Sequence, residues 1–433
     1  MLQTARDRFL LALQYQDYRT LWTANICAGS AAWALIIARG WLAYDISGDS
    51  SLWAGIVTFA AMAPRFGNPI MGFIADRIDR GTLLSFSYFF NLAHNVVLAL
   101  LVMAGFASPW ILVILALTNG FLRSGQMTAT QSLIPNLVPK EHMPNAIALN
   151  QATQQGSRMM GALVIMPLLG FFSGNLEMVF WLCSALYGVG LLQTLRIKTR
   201  STGVIDRDRS LAQNFFAGFQ YVYQHPLLLA MILIVLAHCA LTMSYESMLP
   251  AISQQKLSAG SVGVSYLIAG VGLGAVFSSV FLAGIRSESS RGKLFLLFGF
   301  ASGIGPILLA LSNSRELSIA ATVVMGVNQA GFMTITHTII QTIIPDWVRG
   351  RVAGVYSMHV GGSMALANLG NGAFVDIFDA SMGIEGVILG IKPVGLVMAV
   401  GGVLFLAAIT LSLSSGSLRS LYFPKPSAQP VPA

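Results

Sequence analysis

Charge is what this chain has least of. Only 10% of its 433 residues are Asp, Glu, Lys or Arg, while 55% are hydrophobic and the mean hydropathy is +0.70. A soluble domain carries about 25% charged residues, so this chain lacks the means to cover a water-facing surface. That excludes a soluble enzyme or a cytosolic binding module. Cysteine is scarce as well: Cys27, Cys183 and Cys239 all fall inside apolar runs, which reads as small buried residues and not as a disulfide framework. The six histidines, His94, His142, His225, His238, His337 and His359, are scattered without metal-ligand spacing. There is no Walker loop, no His-Glu-x-x-His and no Ser/His/Asp grouping, so neither ATP-driven pumping nor intramembrane catalysis has its motif. No metal, cofactor or catalytic residue is expected. After Asp7 and Arg8 no compact apolar segment with a small-residue cleavage site follows, and no removable signal peptide is read.

What is present is a series of apolar runs of about 20 residues, the length of a membrane-spanning helix and not of a barrel strand. Six lie before residue 196: Leu21–Tyr44, Ser51–Ala75, Thr82–Ala104, Pro109–Ile134, Ala146–Phe172 and Leu176–Leu195. Six more start near Pro226, Ser261, Lys293, Leu317, Val352 and Gly386. The expectation is an all-α membrane protein of twelve transmembrane helices in two six-helix pseudo-repeats. Its segments are an N-terminal piece (1–20), a first half (21–195), a linker (196–225), a second half (226–417) and a tail (418–433) that is expected to be irregular from Leu418 onward. Within the linker, Phe215 to Gln224 mixes aromatic and polar residues and suits a helix lying in the membrane interface.

The basic residues orient the chain. With the N-terminus cytoplasmic, eighteen of the 25 Lys and Arg fall on that side, three (Lys256, Arg315 and Lys392) fall opposite, and four lie within spans. The positive-inside rule then puts both termini in the cytoplasm. The same distribution disposes of nucleic acid as a partner, because the net charge of +8 is topological. The halves repeat: Gln131-Ser-Leu-Ile-Pro135 and Gln341-Thr-Ile-Ile-Pro345 stand 210 residues apart, and Arg80-Gly81 and Arg291-Gly292 stand 211 apart.

Between the second and third spans, Gly72-Phe-Ile-Ala-Asp76-Arg77-Ile-Asp79-Arg80-Gly81 packs four charges into a tight turn at a membrane interface. It resembles the Gly-x-x-x-Asp-Arg-x-x-Arg signature of major facilitator superfamily transporters through Gly72, Asp76, Arg77 and Arg80, with Gly81 where a basic residue is usual. The resemblance implies alternating access by two helical halves. It also implies a latch in which Asp76 lies against the start of the eleventh helix, near Arg349 and Arg351. Leu13-Gln-Tyr-Gln-Asp17-Tyr18-Arg19, Ala63-Pro64-Arg65 and Gly218-Phe-Gln-Tyr-Val-Tyr-Gln-His-Pro226 are similar to the bacterial branch of macrolide-type drug exporters and siderophore exporters of the enterobactin type. That likeness implies efflux across a bacterial inner membrane. The fifth-helix antiporter pattern is only partly present: Gly156 and Gly161 fit, and Ala162 stands where proline is expected.

Candidate binding and proton-coupling residues are the polar ones at membrane depth. Arg39, Arg65, Arg123 and Arg158 each carry a charge whose insertion costs at least about 2.5–3.5 kcal/mol, so each faces protein or a watery cavity, or else snorkels. Gln126 follows Arg123 in a loose Arg-x-x-Gln match to the fourth helix of the superfamily. Glu246, in the seventh span, is expected to take up and release protons, with His238 two turns earlier on the same helix and about 80° around it. Asn25, Asn328, Gln329 and His337 either bind ligand or hold helices together. The expected partners are a small-molecule substrate, protons and membrane lipid, with the protein as a monomer. The expected function is proton-coupled efflux of an amphipathic, anionic small molecule. The alternatives are import of an organic anion and, further off, a membrane sensor or an intramembrane enzyme.

Overall fold

The computed structural model describes residues 10–68, 71, 77–171, 175–201, 211–283, 288–345, 348–382 and 391–422, and among these it is helical almost throughout. The first half comprises α1 (Gln16–Ile46), α2 (Ser51–Met62) with a 3₁₀ extension (Ala63–Gly67), α3 (Arg80–Met103), α4 (Pro109–Leu137), α5 (Met143–Phe171) and α6 (Leu176–Thr194). Helix α7 (Leu211–Gln224) precedes the second half. There, α8 (Pro226–His238) runs through a π turn (Cys239–Met243) to the single turn α9 (Leu249–Ile252). It is followed by α10 (Gly260–Ala283), α11 (Glu288–Leu311), α12 (Arg315–Ile343), α13 (Arg349–Met382), α14 (Pro393–Ser412) and the short α15 (Gly416–Tyr422). Starts are set locally. Ser50, Asp79, Ser108, Asn175 and Ser314 each accept a hydrogen bond from a first-turn amide, and Pro109, Pro226 and Pro393 stand in the first turn, where no amide donor is missed.

Eight of these helices, the run Pro226–Met243 counted as one, are long and apolar enough to cross a membrane. The four remaining spans are the polar ones. α2 is interrupted near Arg65, and α4, α5 and α13 carry Arg123, Arg158 and Asp376. Polarity at membrane depth survives only where it faces protein, so the least apolar spans are those that build the interior. Between the halves, α2 packs on α13 and α10 packs on α5; the second span of each half meets the fifth span of the other. That reciprocal pairing is the geometry of a duplicated six-helix unit.

Three boundaries differ from the sequence reading. The last span begins at Pro393, not near Gly386, and residues 383–390 before it lie outside the described residues. Of the tail expected to be irregular from Leu418, residues 418–422 instead belong to α15, and residues 423–433 lie outside the described residues. Leu418 and Tyr422 are buried, and the Tyr422 hydroxyl shares a 2.8 Å hydrogen bond with Ser412 Oγ. The seventh span is not one helix. Ser244 sits at φ −91°, ψ 67°, which ends the π turn and leaves Tyr245 and Glu246 in a break ahead of Pro250. Helix α7 lies against α13, with Gly218 so close to the Arg351 carbonyl that an added Cβ would stand 2.9 Å from it.

Candidate functional site

The break in the seventh span places a carboxylate between the halves. Glu246 and Tyr245 come from the break, Arg158 from α5, Trp33 from α1, Asn368 from α13 and Gln329 from α12. Arg158 Nη2 donates to the Tyr245 hydroxyl at 2.5 Å and stands 3.9 Å from Glu246 Oε1, and Arg158 Cζ lies 4.4 Å from the centroid of the Trp33 ring. Asn368 Nδ2 donates to Glu246 Oε2 at 3.1 Å, and its carbonyl oxygen accepts from the Ser247 amide at 3.0 Å. Gln329 Nε2 donates to the Thr242 carbonyl at 2.7 Å, so α12 braces the π turn. Arg158 and Glu246 are 6% and 4% exposed, which rules out the solvated outer mouth as the setting of this carboxylate. Among the described residues, Glu246 Oε1 and Arg158 Nε are buried without a hydrogen-bond partner. The pair is buried and incompletely satisfied, an arrangement that costs free energy to hold and that a proton or a ligand would complete.

Arg39 of α1, Arg65 of the 3₁₀ extension and Arg123 of α4 line one small cavity in the first half, together with Asn119 and Thr58. Arg39 is buried, with a long 3.5 Å contact from Nη1 to Asn119 Oδ1; Arg65 and Arg123 are half-buried. Asn119 is itself oriented by a 2.8 Å bond from its Nδ2 to Asn91.

The other candidates separate from these two groups. Asn25 bonds Asn150, Tyr88 and Thr130 and braces four helices of the first half. Gln126 is buried nearby, its Oε1 without a hydrogen-bond partner among the described residues. His238 does not share a wall with Glu246. It points into the second half, bonded to Ser302 at 2.7 Å and enclosed by Phe332 and Phe405, because the π turn and the break reset the helical angle between 238 and 246. Asn328 donates to the Ala301 carbonyl, and His337 is exposed beside Gln341 and Tyr356. Gly72 and Asp76 lie outside the described residues. Arg77 is exposed, and Arg80 donates to the Ser132 carbonyl at 2.9 Å and to Ser201 Oγ at 3.1 Å, contacts that tie the turn to α4 and to the linker. Arg349 begins α13 and Arg351 is half-buried in its first turn.

Two carboxylates have roles that the sequence reading did not assign. Asp79 caps α3 by accepting from the Thr82 amide at 2.9 Å and also accepts from the Ser201 amide at 2.9 Å, which fastens the linker to the turn. Partial desolvation raises its pKa, but the Ser201 and Thr82 amides, the Thr82 hydroxyl and the Arg200 charge outweigh this and hold it below the ordinary 3.8. A depressed carboxyl stabilises the fold fully above the ordinary range and loses that contribution as pH falls through the lowered value. Asp79→Ala is expected to cost about 1 kcal/mol of local stability and to speed hydrogen exchange of the Ser201 amide roughly fivefold at neutral pH. Unchanged exchange would show the clamp to be idle. The second carboxylate, Asp376 of α13, accepts from Ser50 Oγ at 2.5 Å, the Ser51 amide at 2.8 Å and the Leu52 amide at 3.2 Å. A residue of the second half thus caps a helix of the first, at the end of the bundle away from Arg80. A clue was Asp376 itself, an acid in an otherwise apolar run.

A buried ion pair thus joins two helical halves. The chain belongs to the transmembrane secretion effector family of the major facilitator superfamily, whose sequence profile matches residues 10–425. It is a secondary transporter and not an enzyme. A curated relative, the enterobactin exporter EntS of Shigella boydii serotype 18, is 26% identical over 315 residues, spanning 70% of this chain and 71% of that protein. Among solved structures, the nucleoside transporter NupG superposes with a TM-score of 0.70 at 12% identity, over 94% of this chain and 100% of that one. A POT family transporter in complex with a thioalcohol-conjugated peptide gives 0.71 at 11%, over 92% and 95%. Identities this low speak for the fold alone.

Proposed function

We propose that this transporter exports an amphipathic, acid-bearing small molecule in exchange for protons, by alternating access in a bacterial inner membrane with both termini cytoplasmic. The observation that carries the reading is the Arg158–Glu246 pair, one partner from each half, buried and incompletely satisfied. With Glu246 ionised the pair draws the halves together; a proton on Glu246 neutralises it and loosens that contact. In the proposed cycle the loaded carrier turns with the pair made, and the empty carrier returns with Glu246 protonated. The surplus of guanidiniums in the first half suits an acid-bearing cargo over a cation. Export follows the relatives named as enterobactin exporters. The turn from Gly72 to Arg80 acts against the start of α13, at Arg349 and Arg351, as the cytoplasmic latch, and the protein works as a monomer embedded in lipid.

The same pair supports a second reading. A cargo anion that replaces Glu246 on Arg158 requires Glu246 to be protonated, so proton and anion would then cross together, as in uptake by symport. Inverted membrane vesicles separate the two. Under exchange, labelled organic acids and siderophore-like compounds accumulate when the lumen is acid; under symport they accumulate when the bath is acid. Accumulation of cationic drugs alone, or transport of acids that ignores the gradient, would remove both.

A further inference from the structure

The cavity between Arg39, Arg65 and Arg123 has a free volume of about 30 Å³. At roughly 10–15 Å³ for each water, that is room for two water-sized groups, against roughly 300–1,000 Å³ for a pocket that encloses a drug-sized molecule. The walls contributed by Ala32, Ile36, Val57, Ala61 and Met62 are apolar. Three guanidiniums bring five N–H donors each, and among the lining residues Asn119 and Thr58 carry the side-chain acceptors. Among the described residues Arg39 reaches only the long 3.5 Å contact to Asn119. Arg65 and Arg123 make no hydrogen bond or ion pair among the described residues. Like charges gathered at one small space repel, and the carboxylate whose charge reaches Arg65, Glu246, is engaged by Arg158 and Asn368; one anion among the three guanidiniums relieves the repulsion.

We propose that this cavity is a binding site for one small anionic group, a chloride-sized ion or a single carboxylate, held by Arg39, Arg65 and Arg123. Its source is either a free inorganic anion or the acid end of the cargo, and only the second source rests on the function proposed above. All lining residues belong to α1, α2 with its extension, and α4, so the site stays assembled when the halves move apart. It nevertheless touches the other half. The aliphatic stem of Arg65 lies so close to Gly361 of α13 that a Cβ there would stand 2.8 Å from Arg65 Cδ. Filling the cavity fixes Arg65 and thereby the α2–α13 contact.

The test uses the full-length protein in detergent, with thermal unfolding followed by tryptophan fluorescence. Sodium chloride and, separately, sodium acetate are titrated at constant ionic strength against sodium isethionate, which carries no carboxylate and whose sulfonate head is too large for the cavity. The expected result is a saturable Tm rise of roughly 2–4 °C, reduced in Arg65→Lys and absent in Arg123→Gln. A rise with chloride assigns the site to a free ion. A rise with acetate alone assigns it to a carboxylate. Equilibrium binding of radiolabelled chloride or acetate to Arg65→Lys, which keeps the charge, covers the case in which Arg123→Gln fails to fold. No rise with either anion, or an equal rise in wild type and Arg123→Gln, would overturn the proposal. Loss of organic-acid transport with the anion response intact would instead remove the proposed cargo and leave this site standing.

Discussion

Glu246→Gln is expected to abolish the coupling of transport to the pH gradient while leaving exchange of cargo across the membrane measurable. Glutamine preserves the shape of the side chain and its contact with Asn368 Nδ2, now 3.1 Å from the carboxylate. What disappears is the charge and the proton it binds. Removing one partner of a buried ion pair costs about 3–5 kcal/mol when the other is left stranded. Arg158 is not fully stranded, since it keeps the Tyr245 hydroxyl at 2.5 Å and the Trp33 ring at 4.4 Å. The loss of stability is therefore expected at the low end of that range, with folded protein reaching the membrane. Gradient-driven accumulation should fall at least about tenfold, the equivalent of 1.4 kcal/mol, while counterflow of preloaded cargo persists. Glu246→Asp should recover part of the coupling, because the carboxylate returns on a shorter stem. Full gradient-driven accumulation by Glu246→Gln would show that this carboxylate is a structural brace and that protons act elsewhere.

Gly372→Val is expected to hold apart the end of the bundle that Asp376 closes. Helices α2 and α13 meet there backbone to backbone. A Cβ on Gly372 would run into the Ser51 carbonyl and stand 3.2 Å from Leu52 Cα, and a Cβ on Gly55 would stand 2.8 Å from the Asn368 carbonyl. Backbone atoms do not yield as a flexible side chain does, so α13 itself must move. Asp376 lies one turn further along the same face, and its three bonds to Ser50, Ser51 and Leu52 depend on that approach. Overpacking of this kind costs about 1–3 kcal/mol. Charged to the closed state alone, it shifts the balance between closed and open roughly five- to 150-fold. Cross-linking between Asp49→Cys and Ser381→Cys, both exposed and on opposite halves, should slow accordingly in a background where Cys27 is serine. Asp376→Asn, which keeps the shape and weakens the cap, should slow it less. Cross-linking at the wild-type rate in Gly372→Val would mean that this contact does not decide closure.

The chain by itself determined its class, its span count and the duplication. Those depend on composition and on matches along the sequence, such as Gln131 to Pro135 against Gln341 to Pro345, and a bilayer leaves an apolar chain of this kind little choice but helices. It also marked the four arginines and Glu246 as residues out of place, since a charge in an apolar run is visible without knowing what it meets. What the sequence left open is who meets whom. Arg158 and Glu246 are 88 positions apart, and only the packing of α5 against the broken seventh span joins them. His238 and Glu246 are eight positions apart and were expected together, yet the π turn at Cys239–Met243 sends them into different surroundings. Helical periodicity holds only while the hydrogen-bond register holds, and one wide turn is enough to reset every angle beyond it. Arg39, Arg65 and Arg123 likewise became one cavity through the crossing of three helices. The capping of α2 by Asp376 was decided the same way, because a backbone amide left free at a helix start has no signature that says which half will supply its acceptor.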